Sequence, residues 1–96
     1  MKCRIKETKR FFDCTGDHIH YFVEADDSRR FIVSWVAFSW FYAIPIKHNL
    51  ECMAFEADEN WKVSQFDELA CVYDLWPEAS LAAVCEDLGL ELEDER

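Results

Sequence analysis

The sequence HIHYFVEADDSRRFIV, residues 18–33, contains the clearest structural pattern in the chain. The runs His18–Ala25 and Arg30–Val33 are rich in the β-branched and aromatic residues that favour strands. Between them, Asp26–Ser28 has the composition of a turn. Two strands joined by so short a turn pair antiparallel, so these residues predict a hairpin.

Outward from this hairpin the pattern is less decisive. Residues 2–13 partly alternate between apolar and basic side chains, which favours a preceding strand, and Thr15–Asp17 is a turn signal. Residues 34–44 are apolar on every face, so periodicity does not separate a buried helix from a buried strand. Because Ser34 could cap a helix and Pro45 would stop one, we favour a short helix. The alternative is a strand that continues through Phe38.

The second half of the chain has helical spacing. Apolar residues recur at helical intervals over residues 48–61, from Ser64 to Trp76, and from Glu78 to Leu88, with Gly89 as the terminating residue. We therefore predict a single α+β domain over residues 1–96. It has a small antiparallel sheet of about three strands in the N-terminal half, packed against three to four helices in the C-terminal half. Residues 91–96 are expected to be a frayed acidic tail.

Composition excludes several classes of protein. With 51% hydrophobic and 16% aromatic residues among 96, the chain is too apolar to be disordered. Its five cysteines are odd in number and irregularly spaced, which predicts reduced thiols and a cytoplasmic location. The uncharged run 31–46 is shorter than the roughly 18 residues of a membrane-spanning helix and contains Pro45, so no membrane association is expected.

Charge is unevenly distributed along the chain. Residues 1–48 carry eight basic and six acidic side chains, whereas residues 49–96 carry two basic and fourteen acidic ones. The second half therefore has a net charge of −12 out of a total of −10, because the first half is +2. Such a field repels DNA and attracts basic surfaces, so direct DNA binding is not expected. Solubility alone is the competing explanation.

No catalytic or metal-binding motif is present. His18 and His20 would share one face of a strand, but no Cys-x-x-Cys pair or histidine spacing supports a zinc site with Cys3 or Cys14. The remaining cysteines lie among acidic residues, which disfavour a thiolate nucleophile. With glycine only at two positions there is no phosphate-binding loop. We predict that the protein is not an enzyme and uses no cofactor or metal.

Our leading hypothesis is a protein that docks a negatively charged helical face on a basic protein, one that itself binds nucleic acid. Carboxylates on rigid helices can stand in for phosphates, and electrostatic steering speeds capture. In size and charge the chain resembles phage or plasmid proteins that block CRISPR or restriction complexes, and immunity proteins for nucleases. This resemblance is one of composition and not of sequence motif. The predicted contact residues are Glu51, Asp58, Glu59, Asp67, Glu68, Asp74, Glu86 and Asp87.

The alternative hypothesis is a structural or regulatory homo-oligomer, such as a homodimer. Six aromatic residues fall between Phe31 and Tyr42, and a domain this small has little room to bury them all. Exposed Trp40 and Tyr42 would then form an apolar self-association contact, with the acidic residues serving solubility.

Overall fold

The computed structural model describes residues 1–38, 48–65 and 67–93. These residues form a curled six-stranded sheet in the order β5-β4-β3-β2-β1-β6, with one helix on one face. Strands β1 to β5 pair antiparallel with their neighbours, and β6 runs parallel to β1. The elements are β1 (Lys2–Asp13), β2 (Gly16–Ala25), β3 (Arg30–Phe38), β4 (Leu50–Ala57), β5 (Ala70–Tyr73), α1 (Pro77–Asp87) and β6 (Glu91–Leu92).

The predicted class, a three-stranded sheet packed against three to four helices, is wrong, and so is its description as α+β. The described residues are mostly strand and contain a single short helix. The predicted hairpin and the third helix are nevertheless confirmed, as β2–β3 and α1. The errors lie in residues 34–38, where the sequence did not separate a helix from a strand, and in residues 48–76. In the second segment, strand pairing within the sheet overrides the local helical spacing.

Strand β3 continues through Phe38, so the helix that we favoured from residue 34 is wrong over the residues described, and the alternative strand is found. Residues 39–47 lie outside the described residues. Val33, Trp35 and Val36 are all at most 4% exposed, although successive side chains of a strand point to opposite faces. Ile32 and Ser34, on the same face as Val36, are half-buried, so one face of β3 is buried and the other is partly covered. A central strand covered on both faces reads as a nearly continuous apolar run, which explains the missing alternation in the sequence.

Strand β4 replaces the helix predicted over residues 48–61. Leu, Glu, Met and Ala favour helices, yet Leu50–Ala57 pairs along the whole free side of β3, from Ala37↔Leu50 to Arg30↔Ala57. This pairing satisfies the outer main-chain groups of β3, which would otherwise be buried without partners. Cys52 and Ala54 are completely buried, in the same core cluster as the α1 residues Leu81, Val84 and Cys85.

Strand β5 and the loops beside it replace the helix predicted from Ser64 to Trp76. The expected inner stripe is largely solvent-exposed: Leu69 is 48% exposed, Tyr73 45% and Trp76 71%. Phe66, the fourth member of that stripe, lies outside the described residues. Asp74 has a φ of 61°, a left-handed conformation that a helix does not accommodate. Ala70 and Val72 instead pack against the core.

Helix α1 closes the core by packing Leu81, Val84 and Cys85 against the sheet. Pro77 starts the helix, and Gly89 follows it with a φ of 73°. The carbonyl of Leu75 accepts hydrogen bonds from the Trp35 indole at 2.9 Å and from the Ser80 hydroxyl at 3.1 Å. These bonds join the start of α1 to the centre of β3.

Residues 91 and 92, which we expected to belong to a frayed tail, form strand β6. Glu91 and Leu92 pair with Lys2 and Cys3 of β1. The Glu91 N–H donates to the carbonyl of Met1 at 2.8 Å, and the Glu93 N–H donates to that of Cys3 at 2.9 Å. Residues 94–96 lie outside the described residues.

Candidate functional site

The two ends of the sheet differ in chemistry. At one end β1 and β3 begin, β2 and β4 finish, and β6 pairs with β1. The C-terminus of α1 lies at this end too, because only three residues separate Asp87 from β6. We call it the acidic end. The opposite end, which we call the hairpin end, contains the β1–β2 turn and the start of β4.

A closed turn presents two predicted contact residues at the acidic end. The Asp58 carboxylate accepts hydrogen bonds from the backbone N–H groups of Asn60 and Lys62, at 2.8 and 2.9 Å. These bonds lower the pKa of Asp58. Trp61 takes a φ of 61° and donates its N–H to the Asp58 carbonyl. The turn therefore holds Asp58 ionised and leaves Glu59 exposed beside it.

A second pair of predicted residues, Asp67 and Glu68, lies on the loop that returns to β5. Both are exposed, and the loop is fixed where the Leu69 N–H donates to the Ala54 carbonyl at 2.8 Å. Between this loop and the end of β4 is a groove of about 280 Å³. Its lining residues are Glu56, Ala57, Asp58, Ser64, Gln65, Asp67 and Leu69.

The last predicted pair, Glu86 and Asp87, lies on the final turn of α1. Both side chains are exposed, and this turn contains no basic residue. The C-terminus of a helix carries partial negative charge, so carboxylates there are unfavourable to the helix. Helix stability therefore does not explain these two residues.

Arginines at the acidic end form ion pairs with carboxylates that are not among the predicted contact residues. The three pairs are Arg4–Asp26 at 3.1 Å, Arg29–Asp27 at 2.7 Å and Arg30–Glu24 at 3.3 Å. Within the described part of the chain, nine exposed carboxylates at this end form no ion pair, and two of them, Glu91 and Glu93, lie in or directly after β6. We call the other seven the acidic surface: Glu56, Asp58, Glu59, Asp67, Glu68, Glu86 and Asp87.

The other two predicted residues lie away from this set, at the hairpin end. Glu51 is opposite Tyr73 in the β4–β5 pairing. The carboxylate of Asp74 lies 3.0 Å from Nδ1 of His48, whose ring stacks on Tyr73 with 4.1 Å between centroids. A hydrogen bond with Cys71 is the main reason why the pKa of Tyr73 is raised to about 12. The structure thus brings six of the eight predicted residues to one end, and sequence reasoning missed Glu56.

The self-association prediction falls only partly within the described residues. Phe31 and Trp35 are each 2% exposed and belong to the core. Trp40 and Tyr42 lie outside the described residues, so their role stays a prediction. Sequence reasoning missed two exposed aromatic residues: Phe12 is 78% exposed and Trp76 71%. Their positions beside a turn and before Pro77 are the only signals that could have found them.

The two strand histidines do lie on one face of β2, where the ring of Phe11 packs against both. Nε2 of His18 is 2.7 Å from the Thr15 hydroxyl and 3.0 Å from the Asp13 carboxylate, so this imidazole belongs to the hairpin turn. Desolvation lowers the pKa of His20. No group of three or more His, Cys, Asp or Glu side chains in residues 1–38, 48–65 and 67–93 could hold a metal ion.

The buried cysteines are poor nucleophiles. Burial raises the pKa of both Cys52 and Cys85 to about 12, so at neutral pH each is a protonated thiol. Cys3 is also buried, and burial raises its pKa. Cys85 packs in the hydrophobic core.

No protein family, curated protein or solved structure matches this chain. In the part of the chain that the structure describes, no helix is long and apolar enough to cross a membrane.

Proposed function

We propose that this chain is a binding protein without enzymatic activity, which uses the acidic surface to occupy the nucleic-acid-binding site of a basic partner. The supporting observation is that seven exposed carboxylates share one end of the sheet while the arginines there pair with other acids. Charge that is not cancelled internally remains available to a partner, and it steers association with basic surfaces.

The way the carboxylates are held also supports this function. Asp58 is fixed by backbone hydrogen bonds, and Glu56 is held by the strand pairing of β4 and lines the same groove. Rigid side chains lose little entropy on binding, so they are suited to imitating phosphates. We predicted from the sequence that the carboxylates lie on the outer faces of three helices. The acidic surface instead consists of a strand end, two loops and the last turn of α1. It retains six of the eight predicted contact residues.

Glu86 and Asp87 favour a binding role over a general need for solubility. Negative charge placed elsewhere on the surface would serve solubility without opposing the helix dipole. Carboxylates kept where they cost stability are typical of functional positions.

The experiment compares three tagged proteins as baits in a nuclease-treated lysate of the source cells. One is wild type, one carries Asp67→Lys and Glu68→Lys, and the control carries Glu7→Lys and Glu51→Lys, which change the net charge equally outside the acidic surface. We expect wild type and control to retain the same basic protein at low salt, and the acidic-surface variant to lose it.

The captured protein must then bind a labelled DNA or RNA duplex on its own and release it when the wild-type chain is added. Equal retention by all three baits would refute the acidic surface as the docking site. A captured partner that keeps its nucleic acid in the presence of the chain would refute the proposed inhibition.

A further inference from the structure

Strand β1 has an open edge. Ten of its twelve residues have a partner in β2 along one side, whereas on the other side β6 covers only Lys2 and Cys3. Within the described ranges no strand pairs with the outer side of β1 beyond that point. Residues 5–13 are all exposed. An unpaired strand edge offers a row of N–H and C=O groups to an added strand.

The register shows which main-chain groups face outward. The Asp26 N–H donates to the Lys2 carbonyl at 3.0 Å. Because main-chain groups alternate in direction along a strand, the N–H and C=O groups of the even-numbered residues of β2 also point towards β1. After the bulge between Ile5 and Glu7, the even residues Phe22, His20 and His18 lie opposite Glu7, Lys9 and Phe11. Because main-chain groups alternate in direction along a strand, those of Thr8, Arg10 and Phe12 point to the open edge.

The same segment has a distinct side-chain pattern. Two cations, Lys9 and Arg10, are followed by two aromatic residues, Phe11 and Phe12. Alternation places Arg10 and Phe12 on the α1 face and Lys9 and Phe11 on the other face. Arg10 is bonded to Asp17 at 2.7 Å but remains 68% exposed. Each face of the edge therefore presents one cation next to one aromatic ring.

Strand β6 shows what this edge accepts at its covered end. Glu91 lies opposite Lys2, and Leu92 lies opposite Cys3. An acid thus faces a cation, and an apolar residue faces an apolar residue. Pairs of these two kinds stabilise neighbouring strands.

We propose that the open edge of β1 from Lys6 to Phe12 binds an extended segment of another protein, in which two adjacent acidic residues adjoin two adjacent large apolar residues. The acids lie opposite Lys9 and Arg10, and the apolar residues lie opposite Phe11 and Phe12. The clustered cations also oppose pairing between two copies of β1, because like charges would face each other. This edge is separate from the acidic surface, so the proposal does not depend on the proposed function.

The probe is a fluorescein-labelled peptide with two adjacent glutamates and two adjacent leucines between threonines, made in both sequence directions. Fluorescence anisotropy gives its affinity for the full chain. We expect saturable binding of one direction, and loss of binding when alternate peptide amides are N-methylated. Thr8→Pro removes one outward N–H and is expected to weaken binding. Lys9→Glu with Arg10→Glu should weaken it about tenfold, whereas the control Lys62→Glu should not.

Several results would overturn the proposal without depending on the fold of any one variant. One is the absence of saturable binding to the wild-type chain in either direction. Another is equal affinity for the N-methylated peptide, because backbone pairing would then play no part. A wild-type chain that self-associates, and becomes monomeric on Lys9→Glu with Arg10→Glu, would show that the edge binds a second copy instead.

Discussion

Replacing both Glu86 and Asp87 by lysine should stabilise the fold, although neither side chain lies in the core. The final turn of α1 carries these two acids and no base. A favourable charge at a helix end contributes ~0.3–1 kcal/mol when exposed, and an unfavourable one costs a similar amount. The double change removes two unfavourable charges and adds two favourable ones, so the free energy of unfolding should rise by about 1–4 kcal/mol at low salt.

For a domain of this size each kcal/mol of that gain corresponds to roughly 4–8 °C in melting temperature. Thermal unfolding followed by circular dichroism measures it, and the gain should shrink as added salt screens the exposed charges. The control is Glu78→Gln in the first turn of α1, where an acid is favourable, so its melting temperature should fall. An unchanged or lower melting temperature for the double variant at low salt would refute the reasoning, because the two acids would then carry no stability cost to explain.

Three further predictions concern the core, the hairpin turn and the thiols. Leu81→Ala should lower the free energy of unfolding by ~2–5 kcal/mol in chemical denaturation, because Leu81 is 4% exposed, whereas Leu69→Ala at a 48% exposed site should cost far less; similar losses would contradict the assigned core. Hydrogen bonds from Thr15, with a further one from His18, lower the pKa of Asp13 from 3.8 to about 2, so the folded state gains stability from this group above pH 3.8 and loses it as the pH falls towards 2. Asp13→Asn should therefore reduce the acid sensitivity of unfolding in that range, and an unaltered pH profile would argue against the turn network. Iodoacetamide at neutral pH should label exposed Cys14 well before Cys52 and Cys85, as followed by peptide mass spectrometry; equal labelling rates would contradict the burial of those two thiols.

The sequence was informative where local pattern and tertiary pairing agree. Residues that favour strands, together with turn residues, located β2 and the start of β3, and helical spacing between Pro77 and Gly89 located α1. Over Leu50–Ala57 the two signals conflict. The residues favour a helix, but the unpaired edge of β3 requires a strand, and that requirement is visible only once the sheet exists.

The candidate site was predictable in kind but not in geometry. The acidic excess of residues 49–96 is evident in the sequence, and it indicated a negative surface. Which acids share an end depends on strand direction, so Glu51 and Asp74 separated from the rest while Glu56 joined them. The arginines form ion pairs with acids outside the acidic surface, and these pairs depend on strand register, so they could not be inferred from composition.

Competition between the acidic surface and nucleic acid for a basic partner is tested by titrating the wild-type chain into the captured partner bound to a fluorescent duplex, with anisotropy as the readout. We expect the wild type and the Glu7→Lys, Glu51→Lys control to release the duplex at similar concentrations. The Asp67→Lys, Glu68→Lys variant should release the duplex only at about tenfold higher protein concentration, and this difference from wild type should shrink at high salt. Equal release by all three proteins, or none by the wild type, would contradict such competition.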